Sequence, residues 1–147
     1  MSTLRPPRYL KPVNRFVKAL QHMGVPTGPA MILTVRGRKT GRPRSTPMTP
    51  FTYRGDLYTV AGYPGADWAA NARAAGIGTL TRGRASRRVK IVELDADEAR
   101  PVLREFPAQV PVGVGFAKRS GLVREGTHDE FEALAGHLAV FRFDPVT

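Results

Sequence analysis

The chain has 147 residues, 41% of them hydrophobic, a formal net charge of +11 and no cysteine. That is the size of one domain able to bury a core without cross-links. Disulfides, thiolate nucleophiles and cysteine metal sites are excluded, and His22, His128 and His137 show no ligand spacing, so no metal site is expected.

The charge is distributed unevenly. Residues 1–90 hold 17 Lys and Arg against Asp56 and Asp67 alone, whereas residues 91–147 hold 6 against 10 acidic residues. An anionic partner is therefore expected on the first part. No apolar stretch approaches the ~20 residues of a membrane span, and the basic start is not followed by a signal-type apolar segment, which predicts a cytoplasmic protein.

In chain order, residues 1–11 read as an extended basic arm and residues 12–147 as a single domain. Pro12 opens a helix whose Val13, Phe16, Val17 and Leu20 share one face, ended by Gly24-Val25-Pro26; the helix packs over a sheet or lies on a membrane surface. Met31–Arg36 is a strand that runs into a loop with five cations in nine residues, Arg36 to Arg44. Such a loop has the shape of an anion cradle, in which glycine-freed backbone N–H groups and cationic side chains converge. Ser45 to Tyr53 is the next strand. Arg54-Gly55-Asp56 is a hairpin turn, and Leu57 to Ala61 a third strand.

The alanine-rich segment from Ala66 to Gly76 is a helix, with Asp67 near its start and glycine past its end. Gly78 to Arg82 and Arg87 to Leu94 form a hairpin around Gly83-Arg84. Val89 and Ile91 take one face, Arg88 and Lys90 the other, and its five cations form a solvated outer surface. Asp95 to Phe106 is helical but strained or broken at Pro101. Residues 107–126, rich in glycine and proline, read as loop. Thr127 to Glu130 is a capping box opening a short helix to Ala135, and His137 to Phe143 is a last half-buried strand. About six strands in hairpin sequence, with helices at the margins, predict an α+β domain built on a small antiparallel barrel.

The chemistry is narrowed by what is missing. The loop has Arg where a phosphate-binding P-loop needs glycine before lysine, no dinucleotide fingerprint follows a strand, and no serine elbow is present. Catalytic residues are not identified from the sequence. Tyr63 is a conceivable proton donor, although a tyrosine beside a turn serves equally as structure.

The string Leu33 to Pro47, the strand end Ala61-Gly62, and the segment Asp67-Trp68-Ala69-Ala70-Asn71 running on to Gly83-Arg84 together resemble the deazaflavin-dependent nitroreductase family. That family belongs to the flavin and deazaflavin oxidoreductase superfamily. The resemblance implies a split β-barrel of the FMN-binding type and coenzyme F420 as cofactor, with FMN as the alternative. It also implies hydride transfer to a small electrophilic acceptor such as a quinone, enone or nitro compound. Carried over residue by residue, it places Arg38, Lys39, Thr40, Gly41 and Arg44 at the phosphate-bearing part of the cofactor, and Ala61, Gly62, Trp68 and Asn71 along it. A homodimer is implied by analogy.

The stretch Gly62 to Asp67 is shorter than in such relatives and lacks their lysine. In the 107–126 region only Phe106 and Phe116 offer aromatic surface to a substrate. The competing reading is a basic module without catalysis, binding nucleic acid or a membrane surface; Tyr53, Tyr58 and Tyr63 are not interleaved with the cations in a stacking pattern, so no specific nucleic acid is expected.

Overall fold

A computed structural model describes residues 30–146; the expected basic arm and the helix opened by Pro12 lie outside the described residues. Seven strands form one antiparallel sheet: β1 (Met31–Arg36), β2 (Pro43–Met48), β3 (Phe51–Tyr53), β4 (Asp56–Val60), β5 (Ile77–Arg82), β6 (Ala85–Glu93) and β7 (Val140–Pro145). Their order is β2-β1-β5-β6-β7-β4-β3. Four helices accompany it: α1 (Asp67–Ala75), α2 (Ala96–Gln109), α3 (Pro111–Arg119) and α4 (His128–Glu132).

The expectation of about six strands becomes seven because the run Ser45 to Tyr53 breaks at Thr49-Pro50, which separates β2 from β3. These two strands are neighbours in sequence yet stand at opposite edges of the sheet. A flat seven-stranded sheet would hold its edges about 29 Å apart, six spacings of about 4.8 Å. The three residue steps from Met48 to Phe51 reach about 11 Å at most. The sheet must therefore curl until the end of β2 and the start of β3 come close, which leaves a barrel open along one seam. Pro43 and Pro47 suit this position, because among the described residues β2 pairs with β1 alone and an edge strand has nitrogens that need no donor.

Two clusters fill the two faces. On one, Leu33, Leu80, Val89, Phe141 and Phe143 pack against Ala66, Ala69 and Ala72 of the α1 segment. On the other, Phe51 and Val140 meet Leu103 and Phe106 of α2, Ala117 of α3 and Phe131 of α4. The last strand, expected to be half-buried, lies between β6 and β4; it is buried on both faces at Val140 (1% exposed) and Phe141 (0% exposed). In β6 the expected alternation holds, with Val89 and Ile91 buried and Arg88 and Lys90 exposed.

Helix α1 ends on Gly76 in the left-handed conformation (φ 69°), as its sequence position indicates. Pro101 does not break α2, which runs unbroken through Pro101 and Pro107. An Asp95–Glu98 capping box secures its start, and Ala99, Val102, Leu103 and Phe106 bury its inner face, so packing outweighs the lost backbone bonds.

The segment 107–126 is not a loop: its centre is α3, with Pro111 in the first turn and Lys118 and Arg119 in the last. Its glycines serve close contact rather than chain freedom. A Cβ on Gly113 would stand 2.4 Å from Cζ of Phe106, so α3 lies on α2 at a distance that only hydrogen permits. After α3 the chain is held by Glu130, whose carboxylate accepts the N–H groups of Arg124 (2.7 Å), Glu125 (3.0 Å), Gly126 (2.8 Å) and Thr127 (3.0 Å). These backbone donors, with Arg124 foremost, draw its pKa down to about 2.

Gly113→Ala overpacks the α2–α3 contact and should lower stability by about 1–3 kcal/mol in urea unfolding. Gly115→Ala, whose added Cβ would meet only Nη1 of Arg119 at 3.4 Å, should leave stability unchanged or raise it. The lowered pKa of Glu130 means that its contribution is complete above the ordinary carboxylate range and is lost as pH falls toward about 2. Thermal melts from pH 6 to pH 2 should show a decline in the wild type that is shallower in Glu130→Gln.

Candidate functional site

The basic loop is a tight turn between β1 and β2. Gly37 donates its N–H to the carbonyl of Arg42 (2.7 Å), Gly41 donates to the carbonyl of Gly37 (2.9 Å), and Arg42 donates to Oγ1 of Thr40 (3.3 Å). Gly41 has φ 75°, and a Cβ there would press to 3.3 Å from the Arg36 guanidinium. Much of the loop's backbone is thus engaged internally. Of the backbone N–H groups and cationic side chains expected to form the cradle together, the side chains are thus the more accessible part.

Arg38 is fastened to α1. Its Nη1 donates to Oδ1 of Asn71 (2.7 Å), its Nη2 to Oδ1 of Asp67 (2.9 Å), and its backbone N–H to the same Asn71 oxygen (3.1 Å). Asn71 is one of two buried polar residues among the described ones, only 4% exposed, and this bonding satisfies its carbonyl oxygen. Asp67 and Asn71 stand four residues apart on one helix face and together hold the loop. The Arg38 hydrogen bond first, and then the charges of Arg38, Lys39 and Arg44, keep the Asp67 carboxyl below its usual range. Lys39, Thr40, Gly41 and Arg44 are exposed around this fastening, and Lys39 has no hydrogen bond or ion pair among the described residues.

On its neighbouring face α1 carries Trp68, half-buried, with its ring 5.6 Å from that of Phe141. Trp68 is both core and wall, because it also lines a cavity of about 440 Å³. This hollow lies at the open seam, bounded by Pro47, Met48 and Thr49 from the end of β2, by Thr59 to Gly62 from β4 and its exit, and by α2, α3 and Phe131. Its wall is largely apolar. Thr59 is its buried hydroxyl (2% exposed), and Arg119 is the one charged residue among the described residues lining it.

The structure therefore brings Arg38, Lys39, Thr40, Gly41, Arg44 and Asn71 together at one end of β2, and Ala61, Gly62 and Trp68 at the other. The five residue steps of β2 from Pro43 to Met48 separate the two ends by about 17 Å, with α1 touching both. Above Gly62 lies Phe116, whose Cε1 would be 3.3 Å from a Cβ at that position. Tyr63 is half exposed and lines a separate hollow of about 260 Å³, beside Arg73, Glu93 and His137. There Arg73 makes a two-pronged ion pair with Glu93 (2.6 and 2.7 Å).

Sequence reasoning named Phe116 but placed it on a loop, and it missed Val112 and Arg119, the other α3 side chains lining the larger cavity. The signals were present in Pro111 and in Lys118-Arg119, a helix-opening proline and cations suited to a helix end. Among the described residues no cluster of potential metal ligands occurs, and no helix is long and apolar enough to cross a membrane.

No curated protein matches the chain. Solved structures of similar fold include a domain-swapped dimer, 18% identical over 92% of this chain and 98% of that one with a TM-score of 0.57. Another is the F420-H2 dependent reductase FDR-A, 17% identical over 79% and 94% with a TM-score of 0.54. A NimC/NimA family protein from Clostridium acetobutylicum is 17% identical over 88% and 80%, with a TM-score of 0.52. These likenesses carry the fold alone, a split β-barrel. Residues 11–123 match the family described as F420H(2)-dependent quinone reductase, and with the greater part of its length so matched the chain belongs to that family, as a reductase whose coenzyme is F420.

Proposed function

We propose that the β1–β2 loop holds the anionic tail of coenzyme F420 while the ring end lies in the seam cavity, and that the enzyme reduces a small electrophilic acceptor, a quinone, enone or nitro compound. The observation that carries this reading is α1 itself. Asp67 and Asn71 fix the basic loop and Trp68 lines the cavity, so one short helix sets the spacing of an anion-recognising end and an apolar end. An elongated molecule with a charged tail and a flat ring suits that separation.

Bound in its reduced form, the coenzyme supplies a hydride; the residues supply binding, orientation and exclusion of water. Lys39, Arg44 and the Thr40 hydroxyl meet the tail, and Gly41 keeps the loop compact. Arg38 and Asn71 act by holding the loop in shape. Ala61, Gly62 and Trp68 form the wall for the ring, and the Thr59 hydroxyl offers a hydrogen bond within it. Helix α3, with Phe116 over Gly62, shields the reacting faces from solvent. A homodimer belongs to the same reading, supported by the fold neighbour that is a domain-swapped dimer. The alternative of a peripheral membrane contact rested on residues 1–24, which lie outside the described residues.

Titration with F420, followed by its fluorescence, tests the reading; absence of saturable binding by the intact chain would overturn it. Lys39→Ala should weaken binding about tenfold, the worth of one charge-assisted hydrogen bond, with an unchanged melting temperature. Asn71→Ala should weaken binding and also lower the melting temperature, because it unfastens the loop and leaves Arg38 without its buried partner.

A further inference from the structure

We propose that Arg119 binds the electron acceptor, and that the acceptor it selects is an apolar aromatic molecule bearing an anionic oxygen group such as a carboxylate or sulfonate. Among the described residues Arg119 is the one charged residue lining the seam cavity, and its guanidinium has no hydrogen bond or ion pair among them. It is exposed and stands at the rim, its side chain lying back along α3, where a Cβ on Gly115 would meet Nη1 at 3.4 Å, an ordinary contact. A cation in the last turn of a helix is ordinarily explained by the helix dipole. Lys118 satisfies that explanation equally well and does not line the cavity, so the dipole alone does not account for Arg119 at the rim.

The surroundings decide the ligand's chemistry. Val112, Phe116, Val110 and Trp68 offer apolar and aromatic surface, and no carboxylate among the lining residues competes for the guanidinium. Beside such a wall a charge pair is less screened than in open water and a planar guanidinium engages two oxygens at once. This site is separate from the loop that meets the coenzyme tail, which lies about 17 Å away at the other end of β2.

The inference takes the cavity as the acceptor's site and so rests on the function proposed above; the test is arranged to separate the two. The chain's sole tryptophan, Trp68, is in the cavity wall and reports occupancy by quenching. Without coenzyme, the wild type should bind 1,4-naphthoquinone-2-sulfonate about 10-fold more tightly than neutral 2-methyl-1,4-naphthoquinone. Arg119→Gln should abolish that preference and Arg119→Lys should keep part of it. F420 affinity of Arg119→Gln, read separately by coenzyme fluorescence, should fall by much less than the sulfonate preference, because the charged tail of the coenzyme is held by the β1–β2 loop and not by Arg119. An undiminished sulfonate preference in Arg119→Gln, no preference in the wild type, or an equal loss of F420 affinity would each overturn the assignment. An Arg119-dependent preference in a wild type that fails to bind F420 would sustain the anion site and defeat the coenzyme reading alone.

Discussion

The structure depends on a length restriction: two residues, Thr49 and Pro50, join strands that the sheet order places at opposite edges. That short bridge forces seven strands to curl and draws the end of β2 toward the start of β3, while the two edges do not pair. The larger cavity opens beside this bridge, at Pro47, Met48 and Thr49. The feature that prevents a complete barrel thus also leaves a hollow at its edge. Helices α2, α3 and α4 set the second hydrophobic cluster against β3, β4 and β7.

Electrostatics enters at the far end of β2. A loop crowded with like charges would repel itself, and the arrangement around Asp67 answers this with one carboxylate among three cations and one buried amide beneath them. Arg38 is consequently a fastener, although in sequence it is indistinguishable from its basic neighbours. The division of labour among the loop cations follows from what each touches rather than from charge alone. Exposed pairs of this kind contribute little to stability by themselves, so the fastening acts mainly on local shape.

Much of this was legible in the sequence where local signals and packing agree. β1, the limits of α1, the β5–β6 hairpin, and the capping box at Thr127 could be read from periodicity, left-handed glycine and side-chain capping. The 107–126 segment could not, because glycine was read there as freedom while Gly113 serves contact with Phe106. Pro101 misled in the same direction, since tertiary burial of Val102 and Leu103 overrides a local penalty. The Thr49-Pro50 break was likewise invisible, being a consequence of which strands pair at long range. The grouping of loop residues around α1 needed three dimensions, even though Asp67 and Asn71 already stood at helical spacing.

Open sheets carry a hazard that barrels with closed ladders avoid, namely edges able to recruit strands from other molecules. Here Pro43 and Pro47 pair with Arg36 and Ile32 of β1, and their missing donors require that alternate positions of β2 turn their nitrogens outward. Of the three outward positions Pro43, Ser45 and Pro47, only Ser45 can donate. The opposite edge, β3, is three residues long. A barrel left unsealed is thereby guarded against amyloid-like growth at its own margins.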